Sequence, residues 1–138
     1  MSELGIDSDR LAIAGVSAGG GLAAGVALMA LDRKGPRLCP QFLLYGMLDD
    51  RHDVVSGKQF WDEGSWPGKS SIQGWDLVLA GKRNTDDATV YASPGRAKDL
   101  SGFPPAFIEV GSAETLRDEI VAYASKLYEY GVQAELHV

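Results

Sequence analysis

The chain has 138 residues, 45% of them hydrophobic and 23% charged, which is the composition of one ordinary globular domain. Its formal net charge of −6 argues against nucleic acid as a partner, because phosphate binding needs clustered Lys and Arg. A single cysteine excludes an internal disulfide, and no apolar run approaches the ~18 residues of a membrane span. The first residues lack the basic and apolar regions of a signal peptide, so we expect a cytoplasmic protein.

Short apolar runs alternate with longer helical stretches along the chain. Residues 11–14 are too few for a helix and predict a buried strand, whereas 19–31 predict a helix packed on several faces. Further strands are predicted at 41–47, 106–110 and 134–138. The order is strand, helix, strand, long connection, strand, helix, strand. It predicts an α/β fold, with a mostly parallel sheet and flanking helices.

The clearest helix is predicted at 116–130. Thr115 precedes it and Asp118 lies three positions further on, which is the spacing of a capping box. Gly131 ends it. The helix has an apolar stripe formed by Leu116, Ile120, Ala124 and Leu127.

The connection over 49–102 is too long for a bare loop and contains all three tryptophans. Residues 71–80 inside it have the character of a helix. A segment rich in aromatic residues forms either a lid over a pocket or a local core built on tryptophan.

Gly15, Ser17 and Gly19 form a G-x-S-x-G sequence between the first strand and the first helix, which is the setting of a nucleophile elbow. A serine on so sharp a turn has a positive φ, and side chains at Gly15 and Gly19 are expected to collide with neighbouring backbone. The backbone N–H of Ala18 would then serve as one oxyanion-hole donor.

Two other interpretations of this stretch stay open at the level of spacing. The first is a glycine-rich turn with no chemistry. The second is a phosphate-cradling turn of a nicotinamide-dependent reductase, because Gly15, Gly19 and Gly21 also satisfy G-x-x-x-G-x-G. That second pattern calls for a downstream Y-x-x-x-K pair, which the sequence does not offer.

Beyond the elbow, five segments in order resemble the bacterial esterases of the hormone-sensitive-lipase-like family, within the α/β-hydrolase superfamily. They cover most of residues 1–138, which would then be part of a catalytic domain, with 49–102 as a connection or partial lid. The segments are "LGIDSDRLAIAGVSAGGGLAAGVAL", "QFLLYGMLDDR", "YASPGRAKDLSGFPPAFIEVG", "SAETLRDEIVAYASKLYEYGV" and "QAELHV".

The resemblance implies hydrolysis of a small-molecule ester by a serine, an acid and a histidine, with no metal or cofactor. Ser17 would be the nucleophile. Glu114 stands where the family usually has its catalytic aspartate, and a glutamate can serve the same imidazole. Asp118 is the rival acid, although the capping box with Thr115 explains it better. Val16 replaces a frequent aspartate at a position that tolerates variation.

Two parts of the family's machinery have no match in the sequence. His52 precedes the acid in a polar stretch and is expected at the surface or in the lid, and His137 lies inside a predicted strand. By the serine–acid–histidine order, the catalytic histidine is expected a few residues beyond Val138. The family's upstream His-Gly-Gly-Gly motif is also absent. We therefore expect a fragment of a longer enzyme, weak or inactive alone.

The alternative is a non-catalytic truncated hydrolase-like chain or an assembly subunit. A homodimer is a further expectation, because the last strand offers an edge for pairing.

Overall fold

The computed structural model describes residues 5–138, so Leu4, the first residue of the quoted elbow segment, lies outside the described residues. The strands are β1 (Leu11–Val16), β2 (Leu38–Leu44), β3 (Ala106–Glu109) and β4 (Ala134–His137). The helices are α1 (Ala18–Asp32), α2 (Val55–Gln59), α3 (Gly68–Val78) and α4 (Arg117–Glu129), and a short 3-10 helix spans Pro94–Arg96.

The strands form one parallel sheet in the order β1-β2-β3-β4, as the α/β pattern predicts. Phe42 pairs with Ala14 on one side and with Phe107 on the other. Because all strands are parallel, their carboxyl ends meet at one edge. This edge therefore collects the residues that follow each strand.

The core lies on one face of the sheet. Leu43 and Ile108 are fully buried there, in one apolar cluster with residues of both α1 and α4. Small residues such as Ala24 let α1 pack closely on the strands. The opposite face carries Val16 and Phe42, which are 52% and 39% exposed.

The second strand lies three residues earlier than the prediction of 41–47. Leu38 already pairs with Leu11, although the segment that it begins was not expected to be extended. At the other end Tyr45 has a φ of 39°, which stops the strand.

The connection after β2 contributes to the same core as the sheet. Trp75, Leu100 and Phe103 belong to the main apolar cluster, while Trp61 and Trp66 are 45% and 41% exposed. The helix predicted at 71–80 is α3, which begins and ends earlier. Among residues 5–138, no helix combines the length and the apolar composition needed to cross a membrane.

Candidate functional site

Ser17 joins β1 to α1 in a strained backbone conformation, with φ 55° and ψ −123°. Its N–H donates to the Leu44 carbonyl at 2.9 Å, which extends the β1–β2 ladder by one bond. Its own carbonyl accepts the N–H groups of Gly20 at 2.9 Å and Met47 at 3.1 Å. A positive φ in a residue other than glycine costs about 1–3 kcal/mol, so these bonds are what hold the turn. The positive φ expected for the elbow is present.

The two glycines of G-x-S-x-G have different surroundings. A Cβ on Gly15 would lie 2.0 Å from the Gly19 carbonyl oxygen, so only glycine fits there. The matching expectation for Gly19 is wrong, because no atom of residues 5–138, apart from the adjacent backbone of α1 itself, lies within 4 Å of a Cβ at that position. The two positions differ in the direction that a Cβ would take. At Gly15 it would enter the first turn of α1, whereas at Gly19 it would face open space.

The next two glycines bring the start of α1 against the segment after β2. A Cβ on Gly20 would lie 2.8 Å from the Gly46 Cα, and one on Gly21 would lie 2.0 Å from the Met47 carbonyl oxygen. The helix N-terminus is therefore in backbone contact with the edge of the sheet.

The Ser17 hydroxyl and the Ala18 N–H are both free to act on a ligand. Ser17 is half-buried, and its side chain does not cap α1. Within residues 5–138, no acceptor is in place for the exposed Ala18 N–H. That N–H belongs to the first turn of a 15-residue helix, where the helix dipole favours negative charge.

Glu114 lies on the loop between β3 and α4, at the same edge of the sheet as Ser17. Two more bonds continue the ladder along this edge: Tyr45 N–H donates to the Glu109 carbonyl at 2.7 Å, and Val110 N–H donates to the His137 carbonyl at 3.0 Å. The Glu114 side chain is half-buried and its carboxylate has no hydrogen bond within the described chain. Its carbonyl accepts the Arg117 N–H at 3.2 Å.

Asp118, the rival acid, is committed to structural contacts. Its carboxylate accepts the Ser56 N–H at 2.8 Å and pairs with Arg117 at 2.8 Å. The hydrogen bond from Arg117 lowers the pKa of Asp118, and the Ser56 N–H adds to this against the opposing effect of burial. The predicted capping box is wrong: no side chain from its own N-terminus caps α4, and the Thr115 hydroxyl faces His52 instead.

Sequence comparison places this geometry in a family. Residues 1–138 match the protein family described as "alpha/beta hydrolase fold". The chain belongs to the α/β-hydrolase fold family.

Several relatives of this chain are named esterases. Esterase LipI of Mycobacterium tuberculosis is 33% identical over 135 residues, which are 98% of this chain and 42% of LipI. Carboxylesterase NlhH of the same species is 37% identical over 142 residues, which cover 98% of this chain and 43% of NlhH. The solved structure of a bacterial heroin esterase superposes with a TM-score of 0.93 at 41% identity, over 99% of this chain and 44% of that one. The chain thus spans less than half the length of these relatives.

His52 is buried, with 6% of its surface exposed, so it does not lie at the surface as one expectation had it. Its Nδ1 lies 3.2 Å from Oε2 of Glu119, and its Nε2 lies 3.3 Å from the Thr115 hydroxyl. The order acid, imidazole, hydroxyl is that of a catalytic triad. However, the His52 and Glu119 side chains are each only 1% exposed, so no substrate reaches them.

Glu119 is the residue of this site that the sequence prediction missed. It lies on the stripe of α4 that also buries Tyr123 and Leu127. A carboxyl group at a buried helical position needs a hydrogen-bonding or charged partner. The position of Glu119 on the apolar stripe is therefore the signal in the sequence that could have revealed this contact. Burial raises the pKa of Glu119, while the hydrogen bonds of His52 and the Leu48 N–H oppose the rise.

His137 lies at the end of β4 with its side chain exposed. Its Nε2 is 2.7 Å from Oε1 of Glu135, and its ring centroid is 5.1 Å from that of Phe107. These contacts keep the imidazole on the open face of the sheet. In residues 5–138, no three His, Cys, Asp or Glu side chains cluster as metal ligands would.

Proposed function

We propose that the protein is a serine carboxylesterase, in which this chain supplies Ser17 as nucleophile, the Ala18 N–H as an oxyanion donor and Glu114 as the acid. The observation that carries the proposal is the backbone of Ser17, whose positive φ presents a free hydroxyl beside the free N–H of a helix N-terminus. The esterase and carboxylesterase names of the relatives support it. The substrate is a small-molecule ester, and the reaction uses no cofactor.

The proposed chemistry has two steps. Ser17 Oγ attacks the ester carbonyl while its proton passes to an imidazole, and the Ala18 N–H donates to the developing oxyanion. The bond to the alcohol then breaks, and the alcohol takes up that proton. Water hydrolyses the acyl-serine by the same route. Glu114 orients the imidazole and stabilises its charged form.

The imidazole is proposed to belong to a histidine that follows β4 in the sequence, in keeping with the serine–acid–histidine order. Neither histidine of this chain suits the role. His52 is enclosed with Glu119 and Thr115, and His137 is paired with Glu135 on the open face of the sheet.

The test is Ser17→Ala in the complete protein, including any residues that flank 1–138. We expect hydrolysis of p-nitrophenyl acetate to fall by at least about 10³-fold, because the residual rate comes from binding and the oxyanion hole alone. Ser125→Ala is the matched control, since the Ser125 hydroxyl only bonds the Val121 carbonyl on an exposed helix face. Full activity in the Ser17 variant contradicts the proposal.

A non-catalytic role in an assembly is the second candidate. The exposed apolar face of the sheet, with Val16 and Phe42, favours it because such surfaces mark contacts with other chains. In that case the complete protein hydrolyses no short-chain ester, and Ser17→Ala changes nothing that can be measured.

A further inference from the structure

A buried imidazole–carboxylate pair lies directly behind the loop that carries Glu114. The pair consists of His52 and Glu119, with 3.2 Å between Nδ1 and Oε2. Neither side chain takes part in the proposed reaction. Burial of two ionisable groups costs desolvation energy that their attraction often fails to offset, so the pair calls for an explanation beyond stability.

The other side of the imidazole reaches the residue next to Glu114. His52 Nε2 lies 3.3 Å from the hydroxyl of Thr115, which is 1% exposed. With Glu119 as acceptor at Nδ1, the neutral ring has its proton there and accepts the Thr115 hydroxyl at Nε2, a tautomer assigned from this pattern of partners. The Thr115 carbonyl accepts the Ser56 hydroxyl at 2.9 Å. Thr115 is therefore held through both its side chain and its main chain.

The far end of the pair is anchored to the edge of the sheet. Glu119 Oε1 accepts the N–H of Leu48 at 2.9 Å and that of Asp49 at 3.4 Å, shortly after the end of β2. A chain of contacts thus runs from this edge through the carboxylate and the imidazole to the Glu114 loop.

Two glycines make room for this chain of contacts. A Cβ on Gly57 would lie 2.7 Å from His52 Nε2. A Cβ on Gly68 would lie 2.4 Å from the Gly57 carbonyl oxygen and 3.3 Å from the Thr115 hydroxyl. Either side chain would displace the imidazole or the threonine, so the backbone of the connection is shaped around them.

We propose that His52 and Glu119 are positioning residues, which hold the Glu114 loop in register with the carboxyl end of β2 through the Thr115 hydroxyl. The proposal rests on the proposed function, in which Glu114 orients the catalytic imidazole. A displacement of 1 Å in such a constellation costs up to about 10²-fold in rate. Because Glu114 touches the imidazole and not the substrate, a loosened loop lowers kcat and leaves KM nearly unchanged.

The test compares Thr115→Val with Thr115→Ser in the complete protein. Valine keeps the bulk and loses the hydroxyl, whereas serine keeps the hydroxyl. With p-nitrophenyl acetate we expect the valine variant to lose about tenfold in kcat with KM within about twofold, and the serine variant to stay within about twofold of the parent. Equal kcat in the two variants overturns the proposal.

The Thr115→Val and Thr115→Ser variants, made again on a Glu114→Ala background, show whether Thr115 acts through Glu114. If it does, Thr115→Val causes no further loss of kcat there, because residues that act as a unit are not additive. An equal loss in both backgrounds overturns the positioning role and leaves only a structural one. A Glu114→Ala variant with undiminished kcat refutes the acid assignment itself, and with it the catalytic part of this inference.

Hydrogen exchange distinguishes a failure of the proposed loop positioning from a failure of the proposed acid role of Glu114. Thr115→Val should raise the exchange rates of amides 111–116 about tenfold over those in Thr115→Ser, with the α1 amides unchanged. That result supports the holding of the loop even if Glu114 is not the acid. Unaltered rates overturn the inference whatever Glu114 does.

Discussion

At the scale of single residues, the Ser17 turn depends on what surrounds it more than on its own preference. Four backbone bonds, to Leu44, Gly20, Gly21 and Met47, fix a conformation that serine avoids in isolation. Gly15 is the sterically required residue beside it, since the Gly19 carbonyl oxygen occupies the place of a Cβ. The backbone hydrogen bonds of Ser17 and the close packing at Gly15 together set the conformation of the turn.

Gly15→Ala and Gly19→Ala should therefore have opposite effects on stability. The first forces a methyl group into backbone, and we expect the free energy of unfolding to fall by roughly 3 kcal/mol. The second replaces a helical glycine in open space, and stability should stay equal or rise by up to about 1 kcal/mol. Urea unfolding of the two variants is the measurement. Equal losses of stability in both variants would show that a Cβ at position 19 also collides with its surroundings.

The sequence predicted the local part of this site and missed the distant part. The G-x-S-x-G spacing and the strand–helix context suffice for a positive φ at Ser17, because both act within a few residues. The burial of His52 could not be seen in its polar neighbours. It depends on Glu119, which is 67 positions away along the chain.

At the scale of elements, α2 and α4 cap one another. The Ser56 N–H in the first turn of α2 donates to the Asp118 carboxylate at 2.8 Å, and the Asp118 N–H in the first turn of α4 donates to the Ser56 hydroxyl at 3.1 Å. Each helix thus satisfies a free N–H of the other, a task that a capping box performs within one helix. These two hydrogen bonds join the connection after β2 to the Glu114 loop.

Ser56→Ala should lower the free energy of unfolding by about 1–3 kcal/mol, because it leaves the part-buried Asp118 N–H and the buried Thr115 carbonyl without their partner. Ser125→Ala on the exposed face of α4 serves as control and should change stability by less than about 0.5 kcal/mol. Chemical denaturation gives both values. In a cycle with Asp118→Ala, additive losses would show that the two caps do not depend on each other.

Element boundaries were predictable where a periodic pattern defined them. The amphipathic stripe gave 116–130, and α4 spans Arg117–Glu129. The extent of β2 was not predictable to the same degree, because its ends are set by pairing with Leu11 and by the φ of Tyr45. The caps of α4 were missed for the same reason, since they come from another helix.

At the scale of the whole molecule, a buried ion pair fastens the long connection to the end of β2. Asp50 is fully buried and receives the guanidinium of Arg96 at 2.9 Å and the Asn84 N–H at 2.7 Å. Burial alone would raise the pKa of Asp50. The hydrogen bonds from Arg96, Asn84 and Ser93 outweigh it and hold the pKa below its ordinary value.

A lowered pKa in the folded state means that this contribution to stability is present above the unfolded value of about 4 and is lost as the pH falls through the folded value. Asp50→Asn should cost about 3 kcal/mol at pH 7, since it leaves Arg96 unpaired, and should flatten the fall in stability below pH 4. Urea unfolding between pH 7 and pH 3 tests this. Asp62→Asn, on an exposed pair with Lys69, is the control and should follow the parent at every pH.

Because the three tryptophans differ in burial, the intrinsic tryptophan fluorescence of the protein reports on its core. Trp75 is 2% exposed in the common core, whereas Trp61 and Trp66 already contact solvent. Loss of the core therefore transfers mainly the Trp75 indole from apolar surroundings to water, and the shift in intrinsic emission follows that residue. Because Trp75 comes from the connection and packs in the same cluster as the sheet and its helices, one spectroscopic signal reports on both.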